Sequence, residues 1–196
     1  MRAAILAASQ EVFSQVGYAS ARTRAIADKA GASEQLLFAH FGSKSGLFEE
    51  AVLAPVKVFL IDWAEAFPDD FAADQGDPHA QVSAFLSGYL RVLLANRRLL
   101  VAYLAASTFH VDEFAGSPAA AGLGTGIRRL QDLAEEAARS HGFPLAEPEL
   151  QTRVILATSL GLAVFNDLLF TDGAPDEERV IETMTELLLL GLAGQG

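Results

Sequence analysis

The sequence predicts an all-α protein of about nine helices, in which an N-terminal head of three helices precedes a larger C-terminal helical bundle. Apolar residues recur at helical spacing along nearly the whole chain, and no segment alternates between apolar and polar residues as a half-buried strand does. Of the 196 residues, 51% are apolar and 20% are charged, so the chain can bury a substantial core. These observations favour a folded helical protein over a β protein or a disordered one.

The first two helices have clear start and stop signals. Apolar positions along Ile5–Val16 predict one face of a first helix, which Gly17 ends. Thr23 is expected to cap a second helix that continues to Ala30, because its hydroxyl can accept a backbone N–H at the helix start.

A glycine turn and a second capping residue define the next helix. Gly31 permits a tight turn, and Ser33 is expected to cap a third helix that ends at Phe41. A long fourth helix begins near Lys44. Pro55 lacks an N–H and clashes with the preceding turn, so we expect a kink there, or a break followed by a restart.

The remainder of the chain predicts five more helices. Prolines and acidic residues over 68–78 indicate one loop, and the Gly/Ala-rich segment 115–126 indicates a second, mobile loop. The predicted helices cover residues 79–95, 97–109, 127–142 and 148–170, with a last one that opens at Pro175.

Charge is distributed unevenly along the chain. The formal net charge is −11, yet residues 1–50 carry five basic and five acidic residues and are neutral as a group. The whole net charge therefore lies in residues 51–196. An acidic body repels nucleic acid, whereas a neutral head with local arginine and lysine can still dock on phosphates. The asymmetry favours two functions in two regions.

The head has the residue types that a helix-turn-helix requires. Two helices that cross closely need a small residue at the crossing, which Ala27 supplies, and their turn needs the permissive backbone of Gly31. Leu37 and Phe41 can anchor the third helix from behind. The opposite face of that helix is then free to enter a major groove.

On these residues, Ile5–Val52 resembles the helix-turn-helix region of the TetR family of transcription regulators. The resemblance covers a quarter of the chain by motif and extends to the rest only by the order and length of the helices. The matching blocks are Val12-Phe13 with Gly17-Tyr18, Thr23-Arg24, Ile26-Ala27, Ala30-Gly31 with Ser33, Leu37–Phe41, and Ser43-Lys44 with Leu47.

The resemblance implies that this region binds DNA. Thr23 and the first amides of the second helix would hold a phosphate, and Arg24 would reach a phosphate or a guanine edge. His40 and Lys44 would contact backbone phosphates, while the front of the third helix faces the groove. The residues expected to bind DNA are Arg22, Thr23, Arg24, Ser33, Glu34, Gln35, Leu36, Phe38, Ala39, His40 and Lys44.

Two residues depart from the family's pattern. Phe38 stands where the family usually has tyrosine, which removes a hydrogen bond to phosphate. Glu34 stands where a basic or neutral residue is more usual; its carboxylate repels phosphates but can accept a hydrogen bond from cytosine N4. Whether these departures weaken DNA binding or set its specificity stays open.

Aromatic residues in the C-terminal region are typical either of a plain core or of helices that enclose a small-molecule cavity with a few orienting polar groups. Asn166 lies in an otherwise apolar helix, where a bond to backbone or a place at a dimer seam is the alternative to ligand contact. The candidate ligand-binding residues are Phe59, Trp63, Phe85, Tyr89, Tyr103, His110, Phe165 and Asn166.

No metal, cofactor or catalytic site is predicted. His110, Asp112 and Glu113 do not share one helix face, and no second histidine lies nearby in sequence. The chain contains no cysteine, no HExxH, no glycine-rich phosphate loop and no GxSxG, so we do not expect an enzyme.

The last two predicted helices carry more apolar surface than one chain can cover. A helix that is apolar on nearly all sides must be buried on all sides, which favours a four-helix seam between two copies. Ala157 and Gly161, four residues apart, would allow close approach, and the resemblance implies the same two-fold dimer. The predicted interface residues are Ala157, Gly161, Val164, Met184, Leu187 and Leu188.

The resemblance thus implies a regulator in which residues 1–46 form a helix-turn-helix DNA-binding domain and residues 47–196 form a ligand-binding and dimerisation domain. We expect a cytoplasmic repressor that binds a pseudo-palindromic operator as a homodimer, without a cofactor or a membrane partner. A small apolar or aromatic effector would release it from double-stranded DNA. The alternative is a helical small-molecule or protein-binding module with a degenerate head that no longer reads DNA.

Overall fold

The computed structural model describes residues 1–71, 77–114, 118–142, 145–173 and 175–193, and these residues form ten α-helices and no strand. The all-α prediction is therefore confirmed. The helices are α1 (Arg2–Ser20), α2 (Thr23–Lys29), α3 (Glu34–Phe41), α4 (Lys44–Phe71), α5 (Pro78–Ala95), α6 (Arg97–Phe109), α7 (Val111–Phe114), α8 (Pro118–Ser140), α9 (Pro148–Leu169) and α10 (Glu177–Ala193).

Most of the predicted helix ends in the head are confirmed. The Ser33 hydroxyl accepts the backbone N–H of Leu36 at 3.1 Å, which caps α3. Gly31 and Gly42 have φ values of 66° and 74°, a conformation that glycine adopts without strain. Gly17 interrupts α1 with φ 72° and ψ 178°, although helical residues continue beyond it to Ser20.

The expected cap at Thr23 is wrong. α2 begins at Thr23 itself, Arg22 occupies the N-cap position, and no side chain accepts a hydrogen bond from the first turn. The Thr23 hydroxyl instead donates to the carboxylate of Glu34 at the start of α3. A hydrogen bond to a charged carboxylate is stronger than one between neutral groups, which explains why the Thr23 hydroxyl binds Glu34 and does not cap α2.

Two predicted loops are shorter than the sequence indicated. α4 continues over residues 68–71, and residues 72–76 lie outside the described residues. Residues 118–126 are helical rather than a loop, while residues 115–117 are not described. Pro118 at the first position and an alanine run favour this helix start.

Two further details of the helices differ from the prediction. α7 is a single turn that the sequence did not reveal, because four residues show no periodicity. α4 passes through Pro55 without the break that we considered possible.

The described chain divides into two compact units, and Met1–Lys57 with Asn96–Gly124 make up the first. Within it, α1 packs against α2, α3 and α6. Its core consists of side chains that are wholly buried: Ile5, Phe13, Ile26, Leu37, Leu47 and Phe48.

The second unit comprises Val58–Ala95 and Thr125–Gly196, so far as these residues are described. Here α5 packs against both α9 and α10. Its buried side chains include Leu60, Leu86, Leu93, Leu156, Ala163 and Ile181. The hydroxyls of Ser159 and Thr185, also buried, donate to the carbonyls of Ile155 and Ile181 one turn earlier.

α9 has an unusual composition for a helix with so little burial. Its 22 residues have a mean hydropathy of 1.3 in the most apolar window, of which 22% is buried. By length and composition this helix could span a membrane, and core helices of soluble proteins share the same properties. The sequence predicted burial on all sides, so the exposed side of α9 requires an explanation.

Candidate functional site

The crossing of α2 and α3 has the geometry that the helix-turn-helix motif requires. Ala27 is 1% exposed, and its carbonyl accepts the N–H of Ala32 at 2.9 Å, which closes the turn. Leu37 is wholly buried behind α3. The turn therefore holds α3 in a fixed position on the first unit, with one face anchored and the other free.

The free face of α3 carries the residues predicted to meet DNA. Gln35, Phe38, Ala39 and His40 are exposed, and Leu36 is half-buried. Phe38 is an exposed large apolar side chain, with 39% of its surface accessible. Such a face can present one amide donor and acceptor together with small and apolar groups to base edges.

Thr23 and Glu34 form a pair that joins the start of α2 to the start of α3. The Thr23 hydroxyl donates to Oε1 of Glu34, and both side chains are half-buried. One carboxylate oxygen is therefore already engaged within the protein. The remaining oxygen of Glu34 still places a negative charge at the N-terminal end of α3.

Lys44 is held in place at the start of α4. Its Nζ lies 4.7 Å from the centroid of the Tyr18 ring and donates to the carbonyl of Ala19 at 3.3 Å. Burial lowers the pKa of Lys44, while the carboxylate of Glu113 acts in the opposite direction and favours the charged form. The lysine thus presents an oriented ammonium group beside the helix-turn-helix.

Tyr18 and Glu113 are residues of this arrangement that sequence reasoning missed. The Tyr18 hydroxyl donates to Glu113 on α7, and burial, followed by that bond, raises the pKa of Tyr18 well above its usual value. Tyr18 was noted only as part of a motif and Glu113 only as a rejected metal ligand. Because 95 positions separate them, no local pattern could have joined the two.

Two other cations of the head are already paired. Lys29 contacts Glu11 at 2.6 Å, and Arg2 contacts Glu50 while lying 4.9 Å from the Phe41 ring centroid. Arg22 and Arg24, in contrast, are exposed at the start of α2. The cationic groups offered to phosphates by the described head are therefore mainly at the start of α2 and at Lys44.

Tyr103 and His110, predicted as ligand contacts, lie in the first unit. The Tyr103 hydroxyl donates to the buried carboxylate of Glu49 at 3.2 Å. The His110 ring contacts Tyr18 edge-on, with centroids 5.7 Å apart, and its Nδ1 lies 3.4 Å from Glu113. His110 therefore packs on Tyr18, Tyr103 packs on Phe48 and Phe114, and neither residue lines the cavity described next.

The second unit contains a cavity of about 430 Å³, a volume in the range of small-molecule sites. α5, α8, α9 and α10 supply most of its walls. Of the predicted ligand-binding residues, Trp63 and Phe85 line it. Leu187 and Leu188, both predicted at the dimer interface, also line it, and so does Val154 of α9.

The other predicted aromatic residues of this unit stand behind the cavity wall or on the surface. Phe59 and Tyr89 form a cluster with Trp63 and Phe85, in which ring centroids are 5.5–6.0 Å apart. Gly88 permits this cluster, because a Cβ there would lie 2.7 Å from the Phe59 ring. Burial raises the pKa of Tyr89 to about 12.

Phe165 is 51% exposed, and the amide of Asn166 donates to the neighbouring Asp167 at 3.4 Å. Neither residue lines the cavity.

One face of α9 forms an exposed apolar stripe. Its members recur at intervals of three or four residues, as Leu150, Val154, Ala157, Gly161, Phe165 and Leu168. Val154 and Leu168 are 53% and 71% exposed, and nothing in the chain lies within 4 Å of a Cβ built at Gly161. On α10, Leu187 is 67% exposed. This stripe contains the predicted small pair and explains the low burial of α9.

Two predicted interface residues are buried within their own chain. Val164 and Met184 are 9% and 8% exposed within the chain itself, so their side chains are covered without a partner.

Comparison with known proteins agrees with this geometry. Residues 5–51 match the model of the family described as bacterial regulatory proteins, tetR family. No curated protein sequence matches the chain. A TetR-family transcriptional regulator from Mesorhizobium loti MAFF303099 has a similar structure, with a TM-score of 0.69 and 18% identity, over 98% of this chain and 95% of that one.

Two other solved structures show the same fold. A transcriptional regulator from Pseudomonas aeruginosa PAO1 has a TM-score of 0.69 and 22% identity, over 99% of this chain and 90% of that one. FadR from Bacillus subtilis, solved in complex with stearoyl-CoA, has a TM-score of 0.65 and 14% identity, over 96% and 97%. At these identities the similarity concerns the fold. Residues 5–51 thus match the helix-turn-helix region of the tetR family, and nearly the whole chain shares its fold with solved TetR-family regulators.

Proposed function

We propose that this protein is a repressor that binds a pseudo-palindromic operator as a homodimer and is released by a small, largely apolar molecule. The observation that carries the proposal is the exposed face of α3, held by a helix-turn-helix that matches the family model. Residues 1–46 are then the DNA-binding domain, and residues 47–196 are the ligand-binding and dimerisation domain.

In the proposed complex, Gln35 and Ala39 face the major groove. A glutamine amide can bond to adenine N6 and N7 together, and an alanine methyl can contact the methyl group of thymine. The exposed Arg22 and Arg24, with His40 and the oriented Lys44, contact phosphates and set the register. Glu34 reduces affinity for DNA in general, because its carboxylate lies close to the phosphates.

The stripe on α9 supports the proposed homodimer. An exposed apolar stripe with small residues at its centre fits a second copy of itself across a two-fold axis. Ala157 and Gly161 allow the two α9 helices to approach closely, and Leu187 adds apolar surface from α10. Such a dimer carries two copies of α3, which a palindromic site requires.

The cavity of the second unit supports a small apolar effector. Its volume and apolar walls suit a ligand of that kind. One similar structure, FadR from Bacillus subtilis, was solved with stearoyl-CoA, which contains a long apolar chain. Release from DNA requires only that the effector binds the DNA-incompetent state more tightly than the competent one.

Binding to the DNA upstream of the protein's own gene tests this proposal. Fluorescence anisotropy at several salt concentrations is expected to show tighter binding to that fragment than to an unrelated fragment of equal length. Gln35→Ala should reduce the difference, whereas Gln131→Ala on α8 should leave it unchanged.

Equal affinity for both DNA fragments would favour the second candidate, a binding module whose head no longer reads DNA. The exposed Phe38 and the carboxylate of Glu34 are the observations on its side.

A further inference from the structure

The described walls of the cavity carry no fixed charge. Among the described residues that line it there is no lysine, arginine, aspartate or glutamate, and His141 is its only titratable side chain. Nδ1 of His141 lies 2.9 Å from the carbonyl oxygen of Ala137 in the last turn of α8. A carbonyl oxygen can only accept, so this nitrogen carries a proton and donates it to that oxygen. An ionised ligand group would leave water without a counter-ion in such a cavity, which is costly.

One lining residue, in contrast, has an unused hydrogen-bond acceptor. Oε1 of Gln151, on α9, is buried and has no partner, the single such side-chain atom among the described residues. Buried polar atoms are nearly always hydrogen-bonded, and leaving one unpaired costs free energy. Because Gln151 lines the cavity, a rotation of its side-chain amide can turn this oxygen to a bound ligand, which then supplies the missing donor.

From these two observations we infer that the effector is an uncharged apolar molecule with one hydrogen-bond donor, such as a hydroxyl or an amide N–H, which it gives to Oε1 of Gln151. This inference rests on the proposed function only in naming the ligand an effector. A carboxylate, or an acyl-CoA whose phosphates must enter the cavity, is the wrong chemistry for these walls.

The chain provides its own reporter for the test. Trp63 is the only tryptophan in the sequence, and it lines the cavity. A ligand that enters the cavity changes the surroundings of that indole, so its fluorescence reports binding without DNA and without a label.

The experiment compares three probes with the same carbon chain: 1-decanol, which donates and accepts; methyl decanoate, which only accepts; and decanoate, which is an anion at pH 8. We expect 1-decanol to bind roughly tenfold more tightly than methyl decanoate, with decanoate weakest. In Gln151→Leu, 1-decanol and methyl decanoate should bind equally. The matched control is Gln131→Leu on α8, whose side chain lies outside the cavity and whose preference for 1-decanol should persist.

Three results would overturn the inference: decanoate binding as tightly as 1-decanol, methyl decanoate binding more tightly than 1-decanol, or no fluorescence change with any probe. A preference for 1-decanol that survives in Gln151→Leu would also overturn it. None of these results bears on whether the protein binds DNA, since the titration contains none. Conversely, a protein that fails to bind DNA could still show the expected ligand preference.

Discussion

The side-chain amide of Gln10 on α1 donates to the main-chain carbonyl of Ala51 on α4, with 3.0 Å between nitrogen and oxygen. In a regular helix this carbonyl would accept the N–H of the residue four positions later, but that residue is Pro55, which has no N–H. Gln10 therefore donates to the one carbonyl that the proline leaves unpaired, which lies in a buried turn of α4.

A double-mutant cycle tests this relationship. Gln10→Leu should lower the free energy of unfolding by about 1–3 kcal/mol, because the Ala51 carbonyl is left without a donor. In a Pro55→Ala background the backbone N–H of residue 55 supplies that donor, so the cost of Gln10→Leu should largely disappear. Urea unfolding at a fixed protein concentration measures both effects. The same cost in both backgrounds would mean that the Gln10 bond contributes nothing at Pro55.

Lys44 should contribute to DNA affinity through a phosphate. Lys44→Ala is expected to weaken binding about equally on all DNA sequences and to reduce the slope of log affinity against log salt by roughly one unit. Lys57→Ala removes the same charge from an exposed position on the same helix and serves as the control. If the two variants shift the slope equally, Lys44 acts through net charge and not through a contact.

Gly161 should determine how closely two copies of α9 can approach. Gly161→Leu leaves the protomer folded, since nothing lies within 4 Å of the added Cβ, but it places a large side chain at the centre of the stripe. We expect the dissociation constant of the dimer to rise roughly tenfold or more. Sedimentation velocity over a dilution series measures it, with Arg153→Leu, exposed outside the stripe on α9, as the control. A Gly161→Leu variant as dimeric as the parent would move the interface elsewhere.

All three tyrosines should ionise unusually late. Burial raises the pKa of Tyr89 to about 12. Burial, followed by the nearby carboxylate of Glu49, raises the pKa of Tyr103 to about 12 as well. The pKa of Tyr18, the third tyrosine, is raised further still. The unfolded chain loses these protons near pH 10 while the folded chain keeps them, so stability should fall as the pH rises from about 10 towards 12. Tyrosinate absorbance of the folded protein and of the protein in urea gives the two curves. Coincident curves would show that the rings are not enclosed.

The sequence predicted the helical fold and the helix-turn-helix because both depend on local information. Helical periodicity, the Ser33 cap and the positive φ of Gly31 are each specified within a few residues. The Thr23–Glu34 bond was not predicted, because it replaces a local cap by a partner from the next helix.

Positions that depend on distant partners were the hardest to predict. Tyr103 is an aromatic residue with a polar group, as expected of a cavity wall, but its hydroxyl donates a hydrogen bond to Glu49, 54 positions away. Val164 and Met184 share apolar helices with true surface residues, and only the packing of α5, α9 and α10 decides which side faces inward. The role of Gln151 was not predicted either, since an unpaired buried oxygen is a property of the folded chain.

The central claim, that two copies of α3 read a two-fold symmetric DNA site, is tested most directly by selecting bound sequences from a random DNA library with the purified protein. The account predicts enrichment of a pseudo-palindrome whose half-sites lie about one helical turn, or a multiple of it, apart. It also predicts that Gln35→Ala changes the bases preferred within each half-site. No enriched sequence, or an enriched sequence without two-fold symmetry, would contradict it.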